Sequence, residues 1–218
     1  MVKYCVVSSF DQAFAPFYVP LLTSIVDNTP SGFGLDVVLL VDGVSDFFKR
    51  EITEIAEGKL NLRVLEAREG VGEMELSSFL GKWPLSSIFR LWIPVMFEGY
   101  EKVLYLDCDT LVKNGYERIF ADSCNEGGTI SAVRDRALEN PLLFKRMCAH
   151  VKSLLGEKSS EYVNSGVLVF SFPFFEEDYR TNLFDVIERC DAGLFPDQDV
   201  INLLFDGKKR FLDDRYNV

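Results

Sequence analysis

The sequence predicts an α/β protein with a mostly parallel central sheet flanked by helices. Short apolar runs alternate with amphipathic stretches along the chain, the rhythm of βα units packed on a sheet. The run Leu35 to Val41 is almost wholly apolar, as a strand covered on both faces must be. No repeat or low-complexity tract interrupts this rhythm, so the 218 residues read as one continuous domain.

The elements follow in order. Lys3 to Ser8 reads as the first strand, and Tyr18 to Asn28 as a helix stopped by Thr29-Pro30-Ser31-Gly32. After the Leu35 to Val41 strand, Ser45 is placed to cap a helix running through Glu57, with Gly58 as its stop. Leu60 to Leu65 alternates apolar and polar like a half-buried strand. A helix is expected from Ser86 or Ser87 towards Phe97, weakened by Pro94. Lys102 to Leu106 is the fourth strand and Thr129 to Val133 the fifth. Pro141 to Leu155 reads as a helix, Tyr162 to Phe170 as a strand broken by Gly166, and Asp178 to Cys190 and Asp197 to Phe205 as further helices.

Composition narrows the function. The net charge of −11, from 34 acidic and 23 basic residues, argues against a nucleic-acid partner, whose phosphates demand a basic face. With 19 Phe and 8 Tyr the core is ample, and a chain of this size buries roughly 70% of its unfolded surface. Five cysteines without a CxxC or CxxH spacing give neither a disulfide framework nor a zinc site, and suit a reducing, cytoplasmic compartment. The first apolar run ends at Ser8 and Ser9, too short for a signal peptide. No stretch approaches the ~18 apolar residues of a membrane helix. The expectation is a soluble protein with at most a peripheral membrane contact.

The sharpest chemical signal is Tyr105-Leu-Asp-Cys-Asp-Thr-Leu-Val112. Asp107 and Asp109 follow directly on a buried strand, at the edge where open α/β sheets bind ligands. Alternate residues leaving a strand point the same way, so both carboxylates can reach one hard divalent cation, Mn²⁺ or Mg²⁺. Two solvated loop carboxylates capping a turn are the plainer alternative. Tyr162-Val-Asn-Ser-Gly-Val-Leu-Val-Phe170 places Asn164 and Gly166 inside an apolar strand, which suggests a close approach of ligand or backbone, or else a bulge. Phe195-Pro-Asp-Gln-Asp-Val-Ile-Asn202 opens a helix with two acids, which would also serve the helix dipole alone.

Together LYLDCDTLV, YVNSGVLVF and FPDQDVINLLF, in this order, resemble glycosyltransferase family 8, which includes bacterial lipopolysaccharide galactosyl- and glucosyltransferases and glycogenin. The N-terminal strand followed by Ser9-Phe10-Asp11-Gln12-Ala13-Phe14 fits the same pattern. The resemblance implies a Rossmann-like GT-A fold that moves a hexose from a UDP-sugar donor to an acceptor hydroxyl, with retention. It implies that Asp107 and Asp109 bind Mn²⁺, which holds the donor diphosphate. Asp11 would contact uracil or ribose, Phe14 would stack on the base, and Arg90 would reach the diphosphate or sugar. Asp135, Asn164 and Asp197 would hydrogen-bond sugar hydroxyls, with Gln198 beneath the anomeric carbon and a saccharide as acceptor.

The chain departs from the family in one respect. A His-x-x-Gly-x-x-Lys-Pro-Trp segment normally completes the metal site, and residues 1–218 lack it. A fragment, a compact variant, or a degenerate module that binds nucleotide sugar without turnover would each explain this. His150, the one histidine, is expected to be structural or on the surface, far from the motifs. A haloacid dehalogenase-type phosphatase is the remaining reading of Asp107-Cys-Asp-Thr-Leu, but Leu111 stands where that motif needs Thr.

Overall fold

The computed structural model describes residues 3–70, 85–126, 129–172, 178–190 and 195–217. Their strands form a seven-stranded sheet in the order β3-β2-β1-β4-β6-β5-β7. In sequence these are β1 (Tyr4–Asp11), β2 (Leu35–Asp42), β3 (Asn61–Glu66), β4 (Lys102–Leu106), β5 (Thr129–Arg134), β6 (Val163–Ser171) and β7 (Lys209–Phe211). The longer helices are α1 (Ala15–Asn28), α2 (Asp46–Ala56), α3 (Lys145–Leu155), α4 (Tyr179–Arg189) and α5 (Pro196–Leu204).

Because side chains alternate across a strand, the sheet supports two cores. Cys5, Val7, Val38, Leu40, Val103 and Tyr105 face one way, under the 88–97 segment, α4 and α5. Val6, Phe10, Val37, Leu39, Leu104 and Leu106 face the other, under α1 and α2. The third cluster is small: Met147 and Val151 of α3 close over Tyr162, apart from both main layers.

β1 pairs in parallel with β2 and β4, β2 with β3, and β5 with β7. β6 alone runs against its neighbours, with Leu106 opposite Val167 and Arg134 opposite Val163. That reversal brings the start of β6 to the edge where β1, β4 and β5 end. The carboxyl edge of a mostly parallel sheet thus collects Asp11, Asp107, Asp135 and Asn164 from four strands.

The local differences from expectation have physical causes. β1 extends through Asp11 because Ser8 and Ser9, though polar, are buried within it. The expected helix over 86–97 is three short pieces, Leu85–Ile88, a 3₁₀ turn Phe89–Trp92 and Ile93–Met96. Pro94 has no N–H to continue a single ladder. α3 begins at Lys145 rather than Pro141, because the Asn140 carbonyl accepts from the Leu143 and Phe144 amides and closes a separate turn first. β7 was invisible in sequence: Lys209-Arg-Phe211 is short and charged, and is held only as an edge strand on β5. Ser45 does cap α2, accepting from the Phe48 amide at 3.3 Å. Acceptor specificity is expected from the sequence in the variable stretches 66–83 and 122–128; of these, 71–83 and 127–128 lie outside the described residues, as do 173–175 of the apolar Phe172-Pro-Phe-Phe175 segment. Phe172, whose segment reads first as an ordinary core or loop contact and only second as an interface, is buried.

Candidate active site

Arg90 organises the carboxyl edge. Its side chain is only 8% exposed, yet it faces two carboxylates: Nη2 lies 2.9 Å from Asp107 Oδ1 and Nη1 3.2 Å from Asp197 Oδ2. Nη1 also donates to the Ser165 carbonyl at 2.9 Å, Nε donates to the Ser87 carbonyl at 2.9 Å, and the guanidinium lies 4.6 Å from the centre of the Tyr105 ring. Burial opposes the charge, but Tyr105, Asp107 and Asp197 hold the guanidinium's pKa above its ordinary value. Such a charge is sustained only by its partners. Arg90 therefore ties β4, β6 and the first turn of α5 together, with most of its donors already engaged.

The network continues through Ser165 and Gln198. Ser165 Oγ donates to Asp197 Oδ2 at 3.1 Å, and its amide donates to Gln198 Oε1 at 3.0 Å. Gln198 Nε2 then donates to Asp135 Oδ2 at 2.9 Å. Both ends of the Gln198 amide are thereby committed, which assigns its orientation. Asn202, one turn further along α5, clamps β6 by accepting from the Val163 amide at 2.8 Å and donating to its carbonyl at 2.9 Å. One continuous chain of contacts joins Asp107, Arg90, Asp197, Ser165, Gln198 and Asp135.

Asp107 and Asp109 both line a cavity of about 680 Å³, together with Asn164, Gly166, Tyr216 and Asn217. Asp107 Oδ1 is occupied by Arg90 and by the Tyr105 hydroxyl, which donates at 3.0 Å. Burial pushes the Tyr105 phenol well above its ordinary pKa, so it remains a donor. Asp107 Oδ2 faces Gly166, where an added Cβ would stand 2.7 Å away. Asp109 is exposed and has no hydrogen bond or ion pair among the described residues. Burial, Asp109 and Asp107 push the Cys108 thiol up to about 11, so it stays protonated at neutral pH.

This donor set suits a hard divalent ion that a substrate's phosphates help to coordinate, since two carboxylates with free oxygens point into one cavity. It does not form a closed protein cage: among the described residues no three His, Cys, Asp or Glu side chains cluster for a metal. Asn164 Oδ1 accepts from the Gly166 amide at 2.9 Å and from Asn217 Nδ2 at 2.9 Å. Asp11 and Phe14 lie elsewhere on the edge and do not line this cavity. Asp11 Oδ1 caps the turn into α1, accepting from the Ala13 amide at 2.9 Å, and Phe14 is 49% exposed.

The expectation that His150 lies far from the motifs is corrected. Its Nε2 sits 2.7 Å from Oδ2 of Asp199, the residue after Gln198. Asp199 is wholly buried, and the Tyr162 hydroxyl donates to its Oδ1 at 2.6 Å. α3 folds back over the start of α5, which the spacing of 49 residues concealed. His150→Ala leaves a buried carboxylate one partner short, so a loss of about 1–3 kcal/mol is expected in urea unfolding. An unchanged midpoint would contradict the contact. Tyr105, Ser165 and Asn202 were also missed as site residues, because each reads as an ordinary strand or helix position.

Residues 5–218 match the model of glycosyl transferase family 8. The lipopolysaccharide 1,2-glucosyltransferase of Escherichia coli (strain K12) is 27% identical over 200 residues, covering 90% of this chain and 56% of that protein. The chain thus spans little more than half the length of this curated relative. The WbbM bifunctional glycosyltransferase superposes with a TM-score of 0.78 at 23% identity, over 98% of this chain and 39% of that one. The galactosyltransferase LgtC, solved with donor and acceptor sugar analogues, gives a TM-score of 0.75 at 22% identity, over 98% of this chain and 74% of that one. At these identities the structures establish the fold, which is the expected GT-A arrangement. With the family match over nearly its whole length, the chain belongs to glycosyl transferase family 8.

Proposed function

We propose that this chain is one GT-A unit that transfers a hexose from a UDP-sugar to the hydroxyl of a saccharide acceptor, with retention of configuration. Family membership supports sugar transfer. The observation that carries the reading is the unbroken chain of contacts from Asp107 through Arg90 and Gln198 to Asp135. It joins a carboxylate with a free oxygen to fixed amide and carboxylate groups along one sheet edge.

Asp107 and Asp109 would hold Mn²⁺ or Mg²⁺. When bound, that ion supplies positive charge beside the diphosphate and favours its departure. Arg90 holds Asp107 and Asp197 in place and contributes positive potential at the same edge. Asp135, Asp197 and Asn164 would accept or donate hydrogen bonds to the sugar hydroxyls and so set its orientation. Gln198, pinned at both ends, presents a fixed dipole where positive charge develops at the anomeric carbon. Its amide is a poor nucleophile, which favours attack from the face that the diphosphate leaves. Phe14, half-exposed beside Asp11, offers a surface on which the uracil can stack.

Calorimetric titration of UDP with and without Mn²⁺ tests this reading. Binding is expected to require the metal and to weaken at least about tenfold in Asp109→Ala, since the ion is the main link between protein and diphosphate. Metal-independent UDP binding of equal strength in both proteins would overturn the assignment of Asp109.

A further inference from the structure

The turn before α3 exposes three consecutive apolar side chains: Leu142 at 93%, Leu143 at 75% and Phe144 at 46%. Two exposed cations, Lys145 and Arg146, follow immediately. The charge around the turn is inverted relative to the whole chain. From residue 134 to 152 there are five cations, Arg134, Arg136, Lys145, Arg146 and Lys152, against two acids, Asp135 and Glu139, giving +3 within a chain of −11. All five cations are exposed, and among the described residues none of them is in an ion pair.

We infer that this surface is a docking face for an anionic phospholipid bilayer. Two leucines standing almost clear of the fold, followed directly by the exposed cations Lys145 and Arg146, have the two properties that interfacial binding requires. The apolar tip partitions below the headgroups, and the cations meet the negative surface potential. A protein partner would need a deep apolar socket to cover a tip this exposed, whereas a bilayer accommodates it without prior shape. The rest of the molecule is strongly acidic and would be repelled, so the charge pattern also orients the contact. A cavity of about 440 Å³ lies under the same turn, lined in part by Arg134, Asp135, Leu138, Pro141 and Lys152. Docking through the turn therefore brings Asp135 close to the membrane surface.

The test is co-sedimentation of the full chain with phosphatidylcholine vesicles and with vesicles of phosphatidylcholine mixed with phosphatidylglycerol. Wild type is expected to bind the mixed vesicles, to release as salt is raised, and to ignore phosphatidylcholine alone. Each cation near an anionic surface contributes about fivefold, so Lys145→Glu with Arg146→Glu should weaken binding by more than about tenfold. Leu142→Asp with Leu143→Asp should weaken it to a similar extent. UDP binding should be unchanged in both variants, which reports an intact fold. Failure of wild type to bind mixed vesicles at low salt would overturn the proposal, as would undiminished binding by both variants. Concentration-dependent self-association, abolished by the leucine variant and unaffected by vesicles, would instead assign the face to a second copy of the chain.

Discussion

Gly166→Ala is expected to lower the proposed transfer activity by about 10²-fold with little change in global stability, the scale on which a displaced group loses catalysis. The added Cβ would lie 2.7 Å from Asp107 Oδ2 and 3.1 Å from Asn164 Oδ1. Asp107 cannot retreat freely, because Arg90 and Tyr105 hold its other oxygen and its amide donates to the Gly166 carbonyl at 2.9 Å. The carboxylate must therefore swing away from the cavity. UDP release from a UDP-sugar donor, read beside the thermal midpoint, checks this. Full activity in a folded Gly166→Ala variant would show that Asp107 Oδ2 is not needed where it stands.

Arg90→Leu should cost about 3–5 kcal/mol, because it strands two carboxylates that now share one guanidinium. For a chain of this size that corresponds to a fall of roughly 10 °C in Tm. Arg90→Lys should recover only part of the loss, since one ammonium cannot reproduce contacts to Asp107, Asp197, Ser165 and Ser87 together. Asp197→Asn combined with Arg90→Leu should be less damaging than the sum of the two changes, as partners in one network are not additive. A drop below about 1 kcal/mol for Arg90→Leu would mean that the carboxylates find compensation elsewhere.

Much of this was legible in sequence. Strong periodicity and continuous apolar runs placed β2 and β4 almost to the residue, and Ser45 announced the start of α2. Asp107 and Asp109 stood out because they follow a buried strand at the sheet's carboxyl edge, Asn164 because an amide inside an apolar strand is costly without a purpose, and Asp197 and Gln198 through the family resemblance alone. What sequence hid was long-range. Nothing in the spelling of β6 says that it runs antiparallel, since an apolar strand looks the same in either direction. The same is true of His150, whose partner depends on how α3 packs, and of β7, whose pairing comes from its neighbour rather than its own residues. Pro94 warned of a weak helix, but not that the segment would fold as three short pieces.

The reversed strand also has a consequence for the order in which the chain is made. β1 to β4 can pair in parallel once residue 106 has been synthesised, before β5, β6 or β7 exists. At that stage β4 is an open edge of Val103, Leu104, Tyr105 and Leu106, a template for pairing with another chain. Its proper neighbour, β6, starts only at residue 163. A ribosome adding about 5–20 residues per second leaves that edge uncovered for several seconds. Aggregation during synthesis is therefore most dangerous in this interval, and slowing translation between residues 106 and 163 should lower the soluble yield without altering the finished protein.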